Sequence, residues 1–258
     1  LAWILIGGVF MGAVHDFSSL IVSVRHDGQG LGSVLEERLG HGMKTLFLLF
    51  VFFALILVIA VFTNAVAQTF VSVPETATAS MLFIFLAVAF GLSIYRFHAP
   101  FALATAAGVA LLAACMVFGY FFPLHLSYQT WRIILIAYVF IASTTPVQYL
   151  LQPRDFLSSF ILYAMLAVLV AGIAVANPQL RMTMEPVWNA GKGPLFPLLF
   201  VTVACGALSG FHSLVASGTT SKQLDNEAHA QPIGYGGMLI ESLLAVAALI
   251  TAAVLTPD

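Results

Sequence analysis

The chain is patterned as long apolar runs separated by short polar connections. About 20 apolar residues carry an α-helix across a hydrocarbon core of about 30 Å, so each long run predicts a membrane-spanning helix. The predicted spans are residues 1–24, 43–62 (continuing towards 70), 78–95, 99–121, 131–151, 156–176, 194–217 and 233–255. Transmembrane β-strands are about 10 residues long and alternate in polarity, which these runs do not do. The pattern therefore predicts an all-α polytopic membrane protein with about eight transmembrane helices.

The composition favours lipid over water as the surrounding solvent. Hydrophobic residues make up 61% of the chain and charged residues 8%, with a mean hydropathy of +1.03. Soluble domains carry about a quarter charged residues, so the lipid bilayer is the expected environment. A net charge of −2 without a basic cluster excludes nucleic acid as a partner. No linker is long enough to divide the chain, so residues 1–258 are predicted to form a single transmembrane domain.

The distribution of Lys and Arg predicts how the helices run. Alternate loops hold six of these residues, namely Arg25, Arg38, Lys44, Arg96, Arg154 and Lys222, and the other loops hold three, namely Arg132, Arg181 and Lys192. Because cytoplasmic loops carry the excess of positive charge, the first set is predicted to be cytoplasmic. Both ends of the sequence are then periplasmic or extracellular. Since Leu1 already lies inside an apolar run, we expect a piece of a longer polytopic protein.

Ionisable residues inside the predicted spans are the first candidates for function, because charge at membrane depth is costly. Asp16 either pairs with a neighbouring helix or with Arg25, or takes part directly in proton or ion coupling. The same structural and functional alternatives apply to Glu241. His15 is expected to hydrogen-bond between helices. His212, in the seventh span, either accepts a proton or hydrogen-bonds across a helix interface.

The seventh span is rich in small and polar residues. Gly206 and Gly210 form a G-x-x-x-G pair, and serines recur every four residues at Ser209, Ser213 and Ser217. On a helix these residues form narrow stripes, which serve either helix packing or a binding site. Gly234, Gly236 and Gly237 at the start of the next span also permit close helix approach.

The fifth span contains a polar interruption, Ser143, Thr144, Thr145 and Pro146. Proline removes a backbone donor and blocks the carbonyl of the preceding turn, so this segment is either a simple kink or a broken helix. Broken helices form the substrate and ion sites of many transporters.

Enzyme motifs are absent from the sequence. It has no H-E-x-x-H and no P-loop, and its Gly-Ala-Leu-Ser-Gly segment is one residue longer than the Gly-x-Ser-Gly of rhomboid proteases. No catalytic residue, cofactor or metal site is therefore predicted. Cys115 and Cys205 lie in apolar runs outside any C-x-x-C pattern, and both are expected to be small buried hydrophobes.

Several segments resemble the carbon starvation protein A family. They are GAVHDF at 12–17, SVRHDG at 23–28, LG at 31–32, QPRDFLS at 152–158, ACGALSGFHSL at 204–214, ASGTTSK at 216–222 and IGYGGMLIES at 233–242. The resemblance covers almost the whole chain. Family members can carry Gln where this chain has His15, which leaves Asp16 as the better candidate of the two.

The resemblance implies a transporter of the bacterial inner membrane that takes up peptides, and in some members pyruvate, during carbon starvation with protons as the coupling ion. It also implies the five-plus-five inverted-repeat, LeuT-like bundle of the amino acid–polyamine–cation transporters. In that frame the predicted spans are core helices two to nine, in agreement with the charge-based orientation. The first broken helix and the C-terminal helices would lie outside this sequence.

The predicted pathway for solute or coupling ion follows from these two lines of reasoning. It places Ser143, Thr144, Thr145 and Pro146 of the fifth span opposite the polar residues of the seventh, namely His212, Ser213 and Ser217, with Asp16 and Glu241 also on the pathway. A channel and a structural or receptor protein are the alternatives. The sequence leaves open peptide against pyruvate, proton against sodium, and the oligomeric state.

Overall fold

The computed structural model of the chain describes residues 1–176, 189–190, 193–194, 196–197 and 200–255. Its α-helices are α1 Ala2–Gly7, α2 Ala13–Val24, α3 Leu31–Leu39, α4 His41–Ser72, α5 Pro74–Tyr95, α6 Phe101–Phe121, α7 Tyr128–Thr144, α8 Leu151–Ala176, α9 Phe200–Thr202, α10 Gly210–Gly218 and α11 Gly236–Leu255. Two π-helical turns, Gly8–Gly12 and Gln231–Tyr235, lead into α2 and α11. Short 3₁₀ turns occupy Ala204–Gly206, Thr220–Lys222 and Glu227–His229. A minimal antiparallel pair joins β1 (Asn189–Ala190) and β2 (Gly193–Pro194).

Within the described residues, six helical stretches are long and apolar enough to cross a membrane. They are Ala2–Val24, His41–Ser72, Pro74–Tyr95, Phe101–Phe121, Leu151–Ala176 and Glu227–Val254. The prediction of a helical, multi-pass membrane protein is therefore confirmed. Large apolar side chains such as Phe50 and Phe53 of α4 are 69% and 65% exposed, as expected for a helix that is apolar on all sides and faces lipid.

The predicted count of about eight spans is not confirmed, and the difference arises in the fifth and seventh spans. The fifth corresponds to α7, which has 17 residues and ends at Thr144, because Pro146 stops it two residues later. The described part of the seventh is divided among α9, the Ala204–Gly206 turn and α10, with Ser209 in an extended conformation between them. Arg181 and Lys192, which entered the charge count, lie outside the described residues.

The chain forms two compact units, residues 1–51 with 168–258 and residues 52–167. In the second unit α5 and α6 pack as a hairpin whose core contains Phe90, Leu112 and Leu157. An edge-to-face contact between Phe70 and Trp131, with ring centroids 4.9 Å apart, marks a second core of this unit. The single transmembrane domain over residues 1–258 stays a prediction.

In the first unit, α2 packs against α10 and against the π-helical turn that precedes α11. Leu20, Ala216 and Ala230 form its buried core, with Phe17 packed against them. This arrangement brings the polar residues of three separate sequence segments together.

Candidate functional site

Glycines allow the helices around the site to approach closely. A Cβ on Gly12 would lie 2.4 Å from the carbonyl oxygen of Ala207, and one on Gly8 would lie 2.0 Å from Ser242 Oγ. Gly234 likewise lies against the backbone of Phe17. Only glycine fits at such distances, so the π-helical turn Gly8–Gly12 sets the spacing between α2, the Ala204–Gly206 turn and α11.

Of the other glycines that could permit close helix approach, Gly206 shows it in the described residues. A Cβ on Gly206 would lie 2.7 Å from the Cβ of Ala245, which matches the expected close approach. Within the described residues, a Cβ added to Gly210, Gly236 or Gly237 would meet no atom within 4 Å apart from its own helix and its chain neighbours. A close helix approach at these three glycines therefore stays a prediction.

Asp16 lies on the buried face of α2 and is 6% exposed. Its Oδ1 is 3.0 Å from Nδ1 of the adjacent His15, and its Oδ2 is 2.8 Å from Nδ1 of His212. Arg25, the alternative partner considered from the sequence, instead binds Glu227 at 2.9 Å. Asp16 thus pairs with a neighbouring helix. His15 bonds to its own neighbour in the chain.

His212 joins two carboxylates that lie far apart in the sequence. The bend at Ser209 starts α10 at Gly210 and puts His212 in its first turn. Nδ1 faces Asp16, and Nε2 lies 3.0 Å from Oε2 of Glu241 on α11. Both ring nitrogens therefore meet carboxylate oxygens, which requires a proton in each of the two contacts. We call Asp16, His212 and Glu241 the acid–histidine chain.

Cys205 extends this chain on its Glu241 side. Its Sγ donates to Oε1 of Glu241 across 3.7 Å. The sulfur, a ring nitrogen of His212 and a carboxylate oxygen of Glu241 all lie within 4.8 Å of one another. Cys205 is exposed, so its prediction as a buried hydrophobe is wrong, whereas Cys115 is half-buried. The apolar residues that flank Cys205 in the sequence gave no signal of its polar partner.

A cavity of about 320 Å³ adjoins the acid–histidine chain. All three members of the chain line it, together with apolar residues that include Phe211 and Met238. The site therefore combines ionisable groups with an apolar wall, as small-molecule sites commonly do.

The serines of the seventh span point into the first unit. Ser209, Ser213 and Ser217 are buried, at 8%, 7% and 1% exposure. The Ser213 and Ser217 hydroxyls donate to backbone carbonyls of their own helix. The Ser217 carbonyl in turn accepts a hydrogen bond from Ser23 Oγ at 2.7 Å, and Ser23 also contacts Ser221 Oγ at 2.9 Å. The hydrogen bonds of Ser23 and Ser221 were not predicted from the sequence.

The interruption in the fifth span is a helix end rather than a kink. Thr145 is extended and caps α7, and the next helix begins at Leu151. The hydroxyls of Ser143 and Thr145 donate to the carbonyls of Phe140 and Ile141, both at 2.8 Å. These residues belong to the second unit, and their predicted position opposite His212, Ser213 and Ser217 stays a prediction.

Comparison with known proteins identifies the family. The family model for carbon starvation protein CstA matches residues 1–258. The peptide transporter CstA of Campylobacter jejuni is 37% identical over 271 residues, covering 99% of this chain and 38% of the relative. The pyruvate/proton symporter BtsT of Escherichia coli is 37% identical over 270 residues, again covering 99% and 38%. The peptide transporter CstA of Escherichia coli is 36% identical over 273 residues, with the same coverage.

The chain spans about 38% of the length of these relatives. No solved structure matches the sequence significantly. The family model nevertheless matches throughout, and the relatives align over nearly the whole chain, as the sequence motifs predict. The chain belongs to the CstA family of carbon starvation proteins.

Proposed function

We propose that the full protein containing this chain is a secondary active transporter of the bacterial inner membrane that takes up peptides with protons as the coupling ion. The observation that carries this proposal is the acid–histidine chain beside the cavity, with His212 hydrogen-bonded to both carboxylates. Ionisable groups at membrane depth commonly serve substrate or proton pathways rather than packing alone.

The charges of the acid–histidine chain supply a means of coupling. With one imidazolium and two carboxylates the chain carries a net charge of −1, and one further proton makes it neutral. Asp16 is held on α2, His212 on α10 and Glu241 on α11, so protonation changes the attraction between three helices. A group that bridges separate elements biases their arrangement through its charge. Proton binding is thereby linked to opening and closing of the adjoining cavity.

The names of the relatives favour a small organic solute. Two of the three relatives compared above are named peptide transporters and one a pyruvate/proton symporter. Proton symport of pyruvate is therefore the alternative, and a channel ranks below both. The cavity of about 320 Å³ suits a small solute in either case, since ligand pockets begin at about this size.

The proposed architecture of the full protein is the LeuT-like inverted repeat, with about eight of its helices in this chain and both ends of the chain on the periplasmic side. The break after Thr144, inside the run of hydroxyl residues Ser143, Thr144 and Thr145, supports this assignment because broken helices characterise such transporters. The other broken helix and the C-terminal helices would belong to parts of the protein beyond this chain.

Uptake by the full-length protein in a strain lacking its own carriers tests the proposal. Labelled dipeptide and labelled pyruvate are supplied separately, with and without a protonophore. We expect accumulation of dipeptide that the protonophore abolishes. Accumulation of pyruvate alone would favour the alternative, and equilibration without accumulation would favour a channel.

A further inference from the structure

We propose that Cys205, His212 and Glu241 form a binding site for a transition-metal ion of the Zn²⁺ class. Asp16 orients the imidazole ring of His212 in this site. The three ligands come from the Ala204–Gly206 turn, from α10 and from α11. They supply one sulfur, one nitrogen and one oxygen donor, all within 4.8 Å of one another.

The three donors lie close enough together to hold a single small ion after a modest adjustment of their side chains. In a tetrahedral zinc site, with bonds of about 2.1 Å to nitrogen and oxygen and about 2.3 Å to sulfur, neighbouring ligand atoms lie roughly 3.3–3.7 Å apart. Here His212 Nε2 lies 3.0 Å from Glu241 Oε2, and Cys205 Sγ lies 3.7 Å from Glu241 Oε1. These two contacts use different oxygens of Glu241, and no two of the three donors are more than 4.8 Å apart. Side-chain rotations that shorten the longest separation by up to about 1 Å bring all three donors into the range of a metal site.

Asp16 supplies the support that metal-binding histidines usually have. A histidine ligand commonly donates its other ring N–H to a carboxylate, which fixes the tautomer and aims the free nitrogen at the ion. His212 meets this requirement, because its Nδ1 lies 2.8 Å from Asp16 Oδ2 while Nε2 faces Glu241. Asp16 is itself held by His15 and is 6% exposed, so its position is well defined.

The mixture of donors selects the class of ion. A thiolate with an imidazole favours Zn²⁺ and similar soft or borderline ions, whereas Ca²⁺ and Mg²⁺ prefer sites made of oxygen alone. Three protein ligands leave a fourth position for water, as in zinc sites that remain open to a cavity. The cavity beside His212 and Glu241 provides that space.

Metal binding and proton binding compete at this site. Binding of the dication releases the proton of the Cys205 thiol and the Nε2 proton of an imidazolium at His212 to water, which leaves both atoms free to ligate. An occupied site would therefore hold the acid–histidine chain in one state and stop proton exchange. This consequence rests on the proposed function, whereas the binding itself does not.

Cadmium binding to the purified full-length protein tests the site without measuring transport. Cd²⁺ is the probe because a cadmium–thiolate bond has its own ultraviolet charge-transfer band. The two cysteines of the chain provide matched variants, Cys205→Ser in the site and Cys115→Ser outside it. We expect a saturable band in the wild type and in Cys115→Ser, and its loss in Cys205→Ser. Persistence of the full band in Cys205→Ser, or no band in the wild type, overturns the proposal.

Substitutions of the other residues distinguish the metal ligands from Asp16, which only positions a ligand. His212→Gln and Glu241→Gln should each weaken Cd²⁺ binding strongly while the protein stays folded by circular dichroism. Asp16→Asn should keep the thiolate band but weaken binding by about 10- to 100-fold, as loss of a supporting carboxylate typically does. Unchanged affinity in all three variants contradicts the site. Since none of these measurements involves uptake, failure of the metal site and failure of the transporter proposal are distinguishable.

Discussion

Gly12 lies so close to Ala207 that a Cβ on the glycine would sit 2.4 Å from the Ala207 carbonyl oxygen. That distance is far below any ordinary contact with a backbone atom. Gly12 is buried at the end of the π-helical turn and precedes Asp16 by one helical turn. The close approach of these two segments is therefore a condition for Asp16 to reach His212.

Replacement of this glycine should disturb the whole site. We expect Gly12→Ala to destabilise the full-length protein by about 1–3 kcal/mol, as overpacking of a buried position does. Gly236→Ala is the matched control, because in the part of the chain that the structure describes a Cβ there meets no neighbouring segment within 4 Å, and alanine favours a helix. Thermal unfolding followed by tryptophan fluorescence measures both. Equal melting temperatures for the two variants would contradict the argument.

Removal of the charge on Asp16 should uncouple transport from protons. Asn keeps the shape of Asp16 and one acceptor, but it cannot form the ion pair with His212. We expect Asp16→Asn in the full-length protein to reduce protonophore-sensitive accumulation to background, with normal amounts of protein in the membrane. Asp225→Asn serves as the control, because its side chain is 84% exposed. Normal uptake with normal pH dependence in Asp16→Asn would rule out a role in coupling.

The sequence predicts the three residues of the acid–histidine chain, but it does not predict that they contact one another. Asp16, His212 and Glu241 each stand out because a charged or ionisable group in an apolar run requires a partner. Asp16 and His212 are 196 positions apart, and their contact depends on interlocking glycines and serines that a linear pattern does not reveal. Cys205 was missed for a related reason, since its partner Glu241 is 36 positions away.

The helix boundaries also divide into those that local sequence predicts and those that depend on contacts between distant segments. Pro146 correctly indicates the interruption after Thr144, because its effect on the backbone is local. The described part of the seventh span looks continuous by hydropathy, yet its α-helix is interrupted between Thr202 and Gly210. There the interruption follows from tertiary contacts, such as the hydrogen bond from Ser242 Oγ to the Gly206 carbonyl at 3.1 Å.

An ionic contact between α3 and α4 should respond to acid. Hydrogen bonds from His41 and then Lys44 hold the pKa of the Glu36 carboxyl below its usual value. Contacts that lower the pKa of a carboxyl group stabilise the folded state at any pH above the ordinary carboxyl pKa. This stabilisation is lost as the pH falls through the lowered pKa. We expect hydrogen exchange across residues 31–44 to be faster in Glu36→Gln than in the wild type at neutral pH.

The neighbouring carboxylate provides the control for this effect. Glu37 is 61% exposed at its side chain, and its contact with His26 is longer, at 3.7 Å. Glu37→Gln should therefore leave exchange in this segment close to that of the wild type. Acidification should lower the protection factors of this segment, that is, exchange corrected for its intrinsic pH dependence, in the wild type and change those of Glu36→Gln less. An equal response of both variants would show that the contact of Glu36 with α4 does not matter.

The proposed orientation is tested by labelling from one side of the membrane. Gln223, between α10 and α11, is exposed and lies in a loop assigned to the cytoplasm from the Lys and Arg distribution. His125, between α6 and α7, is also exposed and lies in a loop assigned to the opposite side. The two positions form a matched pair for cysteine substitution in full-length protein whose native cysteines are replaced by serine.

A membrane-impermeant thiol reagent applied to intact cells should modify His125→Cys and spare Gln223→Cys. After the cells are opened, both positions should react, because both are exposed on the folded protein. The comparison depends only on which side of the bilayer each loop faces, so it holds whatever the transported solute. Reaction of Gln223→Cys in intact cells, with protection of His125→Cys, would reverse the assignment. It would also place the Arg25–Glu227 ion pair, which joins the end of α2 to the same loop, on the outer face.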